Sequence, residues 1–113
     1  MLVEDLQNFT GTEQWYRHNL MHGTLYTEGV KYFADHAGAY WFLDIADTEL
    51  FPLQDQHGFL SITMTVANEQ AIITATDGNE TTLWEKKISF TDCPDGEYHF
   101  FFTNNVLLLT SEY

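Results

Sequence analysis

The chain has 113 residues, 44% of them hydrophobic and 16% aromatic, which is long enough for one core and too apolar for a disordered segment. Seventeen acids against four Lys and Arg give a formal charge of −13, which argues against a nucleic-acid-binding or anionic-membrane surface and favours basic protein partners. One cysteine, Cys93, rules out an internal disulfide and suits a reducing, cytoplasmic setting.

The length predicts a single domain over residues 1–113. The start "MLVEDLQNF" lacks a basic region, so it does not read as a signal peptide, and no apolar run approaches the roughly 20 residues of a membrane span. Without a secretory signal, "NFT" and "NET" read as chance glycosylation patterns.

Leu2, Leu6 and Phe9 are spaced for a short amphipathic helix over residues 2–9, with Gly11 as its stop. "GTEQWYRHNLMHG" then gathers two aromatics, the single arginine and two histidines. Trp15, Tyr16, Arg17 and His18 read as a structural clasp. The two rings are anchors, and Arg17, in so acidic a chain, is expected to pair bidentately with a carboxylate and stack on a ring. Glu13, His18 and His22 lack a third ligand at a defined spacing, so no metal site is assigned.

"YTEGVKYFADHAG" predicts a helix capped by Thr27 and ended by Gly38, with Val30, Phe33, Ala34 and Ala37 on one side. A third helix is predicted from about Ala39 to Phe51, broken by Pro52. Asp44 and Asp47, three apart, read as a solvated face. With Glu49, Asp55, Glu69 and Glu80 they are the candidates for meeting a basic partner.

From Phe59 the apolar period becomes two. "FLSITMTVA", "QAIITAT", "TLWEKKISF", "EYHFFFT" and "VLLLT" predict five strands, joined by turns at Asn68, Asp77-Gly78, Pro94–Gly96 and Asn104-Asn105. Helices followed by strands predict an α+β fold, with N-terminal helices packed on a five-stranded antiparallel meander. Ser61, Thr63 and Thr65 form a polar second face. The last two strands are apolar on both sides, with Phe101, Leu107 and Leu109 read opposite Phe100, Phe102 and Leu108. Those three are the candidate face of a homodimer, since a sheet apolar on both sides needs a second cover.

No nucleophile elbow, phosphate loop or base for Cys93 is present, so no catalytic residue, cofactor or enzyme activity is assigned. Lys86 and Lys87, adjacent in a strand, point to opposite sides and make no basic patch.

"FTGTEQWYRH", "YTEGVKYFADHAGAYWFLDIA" and the pairing of "ISFTDCP" with "VLLLTSEY", with "TDGN" between them, resemble an uncharacterised family of small proteins encoded mainly by phages, plasmids and other mobile elements. The resemblance covers nearly the whole chain, although the family pattern has an aromatic where Cys93 stands. It implies an intracellular protein of a phage or its bacterial host, and no catalytic residue. Joined to the charge, it leads to the expectation of a non-enzymatic binding protein. Such a protein would inhibit a host nucleic-acid-handling or defence protein, a CRISPR effector or restriction enzyme, by occupying its basic surface. The alternatives are a homodimeric assembly module and, behind it, a metal protein using His18, His22, His36, His57 or His99.

Overall fold

The computed structural model describes residues 2–79 and 81–113. It is a mixed α+β fold built on one seven-stranded sheet. In chain order the elements are α1 (Leu2–Leu6), β1 (Trp15–His18), β2 (Thr24–Thr27), α2 (Glu28–Ala37), α3 (Tyr40–Ile45), a π-turn (Ala46–Leu50), α4 (Phe51–His57), β3 (Phe59–Ala67), β4 (Gln70–Thr76), β5 (Thr82–Ile88), β6 (Gly96–Thr103), β7 (Val106–Leu109) and a 3₁₀ turn (Thr110–Glu112).

The expected meander of five strands is corrected twice: two strands are added, and β6 pairs with β3 instead of β5, so residues 89–95 carry the chain past β4 and β3 rather than turning a hairpin. Alternation marks strands but not which strands pair. The sheet order is β1-β2-β7-β6-β3-β4-β5, with β2 parallel to β7 and every other pair antiparallel. The added hairpin is "WYRH" with "TLYT", four residues each. Strands this short show too little alternation to be read from periodicity, and the tip between them, "NLMHG", has no Asn-Gly or Asp-Gly signal. The two central hairpin turns do follow local chemistry. Asn68 and Glu69 (φ 54° and 64°) and Asn104 and Asn105 (φ 53° and 58°) are both left-handed pairs, as a two-residue turn requires.

α2 begins and ends where its residues dictate. The Thr27 hydroxyl accepts from the Val30 amide, and Gly38 closes the helix at φ 61°. Pro52, in contrast, does not end the next helix, and the chain stays helical to His57. Proline lacks an N–H and crowds the carbonyl four residues back. Here the preceding turn is widened: the Phe51 amide reaches the Ala46 carbonyl, and Pro52 falls in the first turn of α4, where no N–H is needed.

The core lies on one side of the sheet. Leu60, Ile62, Met64, Ile73, Phe100, Phe102 and Leu107 are fully buried. The Phe33 ring of α2 sits 5.1 Å from Tyr98 and 5.2 Å from Phe100, and the Phe42 ring of α3 sits 4.8 Å from Phe100. The register of β6 on β7 corrects the expected faces. The two-residue turn opposes Phe102 to Leu107 and Phe100 to Leu109, so these four share the inner face, while Phe101 opposes Leu108 outside. Leu107 and Leu109 are therefore core residues (0% and 3% exposed) and not part of an outer face. Among the described residues no helix is long and apolar enough to cross a membrane.

Candidate functional site

The "WYRH" cluster is the edge strand β1. Tyr16 stacks on its cross-strand partner Tyr26 at 5.6 Å within the hairpin, and His18 Nε2 lies 2.6 Å from Asp44 Oδ1, which ties the hairpin to α3. Trp15 is 54% exposed and anchors nothing in the core. Among the described residues Arg17 pairs with no carboxylate; its Nη1 donates to the Gly23 carbonyl at 2.9 Å across the hairpin tip.

The tip itself is held by a residue expected in solvent. Asp47 is fully buried. Its carboxylate accepts from the Met21 amide at 2.7 Å, the His22 amide at 3.1 Å, the Thr24 amide at 3.0 Å and the Thr24 hydroxyl at 2.6 Å. Burial pushes its pKa up, but the donors from Thr24, Met21 and His22 outweigh burial and hold it below the usual aspartate value. Asn105 extends the network, its amide nitrogen donating to the His22 carbonyl at 3.1 Å and its backbone N–H to Gln54 Oε1 at 3.0 Å. The sequence carried a signal. Leu43, Asp47, Leu50 and Gln54 are spaced 4, 3 and 4 apart, on one helix face, and all are buried. Asp47 is a polar residue on an apolar stripe.

A second buried carboxylate, Glu112, had no expected role. It accepts from the Thr27 hydroxyl at 2.5 Å, the Gly29 amide at 3.1 Å and the Leu109 amide at 3.0 Å, and so closes the start of α2 with the last turn of the chain. Among the described residues no buried side-chain nitrogen or oxygen lacks a partner.

The six acids expected to meet a partner do not form one stripe. Asp47 is internal. Asp44 is exposed but holds His18, and Glu49 pairs with Lys86 at 2.8 Å. Asp55 and Glu69 are exposed and sit near opposite ends of β3, a strand of nine residues and roughly 30 Å. Glu80 lies outside the described residues. A different grouping emerges at the far end of the sheet. The Thr91 amide donates to the Glu69 carbonyl at 2.8 Å, Gly96 pairs with Val66, and Glu97 pairs with Thr65. Glu69, Asp92, Asp95 and Glu97 therefore gather at one end, all exposed. Chain folding, not sequence proximity, brings Glu69 to the other three.

The histidines do not converge. His18 meets Asp44, His22 stacks on Phe51 at 3.9 Å, His36 stacks on Tyr32 at 3.8 Å, His57 ends α4, and His99 lies 3.0 Å from Glu97. Among the described residues no group of three or more His, Cys, Asp or Glu is placed to hold a metal ion. Cys93 is buried, and burial pushes its thiol pKa up, away from the thiolate a nucleophile needs. A cavity of about 90 Å³ between α1, β6 and the 3₁₀ turn is lined by Val3, Leu6, Tyr98, Leu109 and Ser111, with Glu97 and His99 also on its wall. That is well below the roughly 300 Å³ at which small-molecule sites begin. A depression of about 330 Å³ on the β4–β5 hairpin, beside Ile72 and Lys87, reaches that size and has no cluster of acids or histidines in its wall.

The model of one family, described as Family of unknown function (DUF6876), matches residues 1–113. No curated protein and no solved structure matches the chain.

Proposed function

Because the chain belongs to that family of unknown function, its role is read from its own surface, and we propose that it is a non-enzymatic acidic docking protein. In this reading it comes from a phage or other mobile element and acts in the cytoplasm of a bacterial host. It occupies a basic surface of a nucleic-acid-handling or defence protein, a CRISPR effector or restriction enzyme. The observation that carries the reading is the convergence of Glu69, Asp92, Asp95 and Glu97 at one end of the sheet, in a chain of charge −13. Two of its four cations, Lys31 and Lys86, are already held by Asp35 and Glu49. Such a body steers toward positive surfaces from a distance and associates quickly at low salt. The carboxylates lie on several elements and not in one line spaced like phosphates, so the docking is electrostatic and not a copy of duplex shape.

The test is affinity capture from host lysate with the full chain as bait. Wild type and an Asp55→Lys variant are expected to recover the same basic nucleic-acid-handling protein at low salt and to release it as salt rises. A Glu69→Lys/Asp92→Lys/Asp95→Lys variant is expected to lose it. Recovery of no such protein, or equal recovery by the triple variant, overturns the reading.

A further inference from the structure

We infer that the outer face of the sheet, turned away from the core, is the contact surface of a homodimer, covered by a second copy of this chain. The strand register places Leu25 beside Val106 across β2 and β7, and Leu108 beside Phe101 across β7 and β6. Phe59, Phe101 and Tyr113 close a triangle of rings with centroids 5.0, 5.1 and 6.2 Å apart. Cross-strand neighbours on one face are about 5 Å apart, so these side chains form one continuous patch. Leu25, Phe59, Phe101, Val106 and Leu108 are only half-buried, and Tyr113 is 77% exposed.

Charge identifies the occupant. Seventeen acids are distributed over this chain, yet β1, β2, β3, β4 and β7 contain none. The two strand acids, Glu85 and Glu97, lie further along the sheet, opposite Thr74 and Thr65. Both stand on this outer face but at its other end, so the end that holds the apolar patch, around β2 and β7, is the part of an acidic protein from which carboxylates are excluded. A basic partner has nothing to bind there, and an anionic membrane is repelled by the rest of the molecule. A second copy fits. Stacked sheets pack about 10 Å apart, so two such faces in contact bury both patches. The same stacking turns Asp35, Asp44 and Asp55, on the helical side, outward on opposite sides of the dimer. Each sheet and its helix layer then separate those charges by more than the Debye length of about 8 Å. The size also fits. The chain measures 33 × 31 × 27 Å, and a stable interface takes about 800 Å² from each partner, so the contact spreads from the patch over most of this face, Glu97 included. The dimer does not depend on the docking function proposed above. It would make that function bivalent through Glu69, Asp92 and Asp95, which lie outside the strands, while Glu97 is covered.

Sedimentation velocity of the full chain over a concentration series tests the inference, together with light scattering. The expected mass is twice the 13.1 kDa of one chain. Leu108→Lys and Phe101→Lys are expected to raise the dimer dissociation constant at least 30-fold, roughly the loss of one interface hot spot, while Asp55→Lys leaves it unchanged. Hydrogen exchange of the wild type keeps the idea falsifiable if a lysine variant fails to fold, because protection of β6 and β7 must then rise with protein concentration. A wild type that stays monomeric, a folded Leu108→Lys variant that stays dimeric, or exchange independent of concentration overturns it. A monomer that co-sediments with phosphatidylcholine vesicles would also overturn it and assign the face to lipid.

Discussion

Asp47 binds Thr24 twice, accepting its amide at 3.0 Å and its hydroxyl at 2.6 Å, and so locks the start of β2 against the π-turn of the long helix. The same carboxylate holds the Met21 and His22 amides. These donors all belong to one hairpin tip, and the two from Thr24 are buried, so without Asp47 they would be left with no acceptor. Asp47→Ala is therefore expected to destabilise the fold by about 3 kcal/mol, and Asp47→Asn, which keeps one acceptor oxygen, by about half of that. Urea unfolding near neutral pH measures both.

The pH dependence of that lock has a definite sign. The folded pKa of Asp47 is below its ordinary value of 3.8. Its contribution is complete above the unfolded pKa and is lost as pH falls through the folded one. The stability gap between wild type and Asp47→Asn is expected to be constant from about pH 5 upward and to shrink below about pH 4. A gap that stays constant into acid would show that the ionised carboxylate is not what holds the tip.

Glu112 and Gly29 give a prediction opposite to helix propensity. Alanine in a helix is worth about 1 kcal/mol more than glycine. At position 29, however, a Cβ would lie 2.5 Å from Leu109 Cδ1 and 2.7 Å from Glu112 Oε1. Gly29→Ala is expected to destabilise by about 2 kcal/mol, because the 3₁₀ turn must move and three hydrogen bonds to Glu112 loosen. Thermal unfolding reads the sign directly, and a stabilised variant would contradict the close packing of the chain's last turn on α2.

Tyr40 donates a short hydrogen bond to the Asp35 carboxylate, which also accepts from Lys31 Nζ at 2.7 Å. The bond to Asp35 first, and burial second, push the Tyr40 phenol up to about 12. The protonated phenol is the form the fold favours, so its stabilising effect is present below the ordinary tyrosine value near 10 and is lost as pH rises through the folded value. Asp35→Asn is expected to bring one tyrosine back toward that ordinary value in an ultraviolet titration. An unchanged titration would place the late-ionising group elsewhere.

The corrected register of the last hairpin can be tested with two adjacent leucines. Leu107 is fully buried on the inner face, and Leu108 is half-buried outside. Leu107→Ala is expected to cost about 3 kcal/mol of stability and Leu108→Ala about 1 kcal/mol or less, measured at a concentration where the chain is monomeric. A larger cost at Leu108 than at Leu107 would return the hairpin to the opposite phase.

Much of the fold was legible because the forces that set it are local. Thr27 and Gly38 bound α2 through capping and left-handed geometry, and both act over a few residues. Leu60, Ile62, Met64 and Val66 alternate because a strand alternates, and Asn68 and Asn104-Asn105 turn because asparagine tolerates positive φ. Three features resisted reading. The β1–β2 hairpin was too short to show a period. Pro52 was tolerated because the turn before it widened. The phase of β7 depended on a turn of two residues, and one position of slip reverses every side chain.

By itself, the sequence determined an acidic α+β chain whose helices precede its main run of strands, because composition, periodicity and capping are properties of neighbouring residues. Only the tertiary structure decided which carboxylates face water. Asp44 and Asp47 differ by less than one helical turn, yet one is solvated and the other is buried beneath a hairpin tip some 23 residues away in the chain. Burial is set by what packs against a helix face, and that partner comes from another part of the chain.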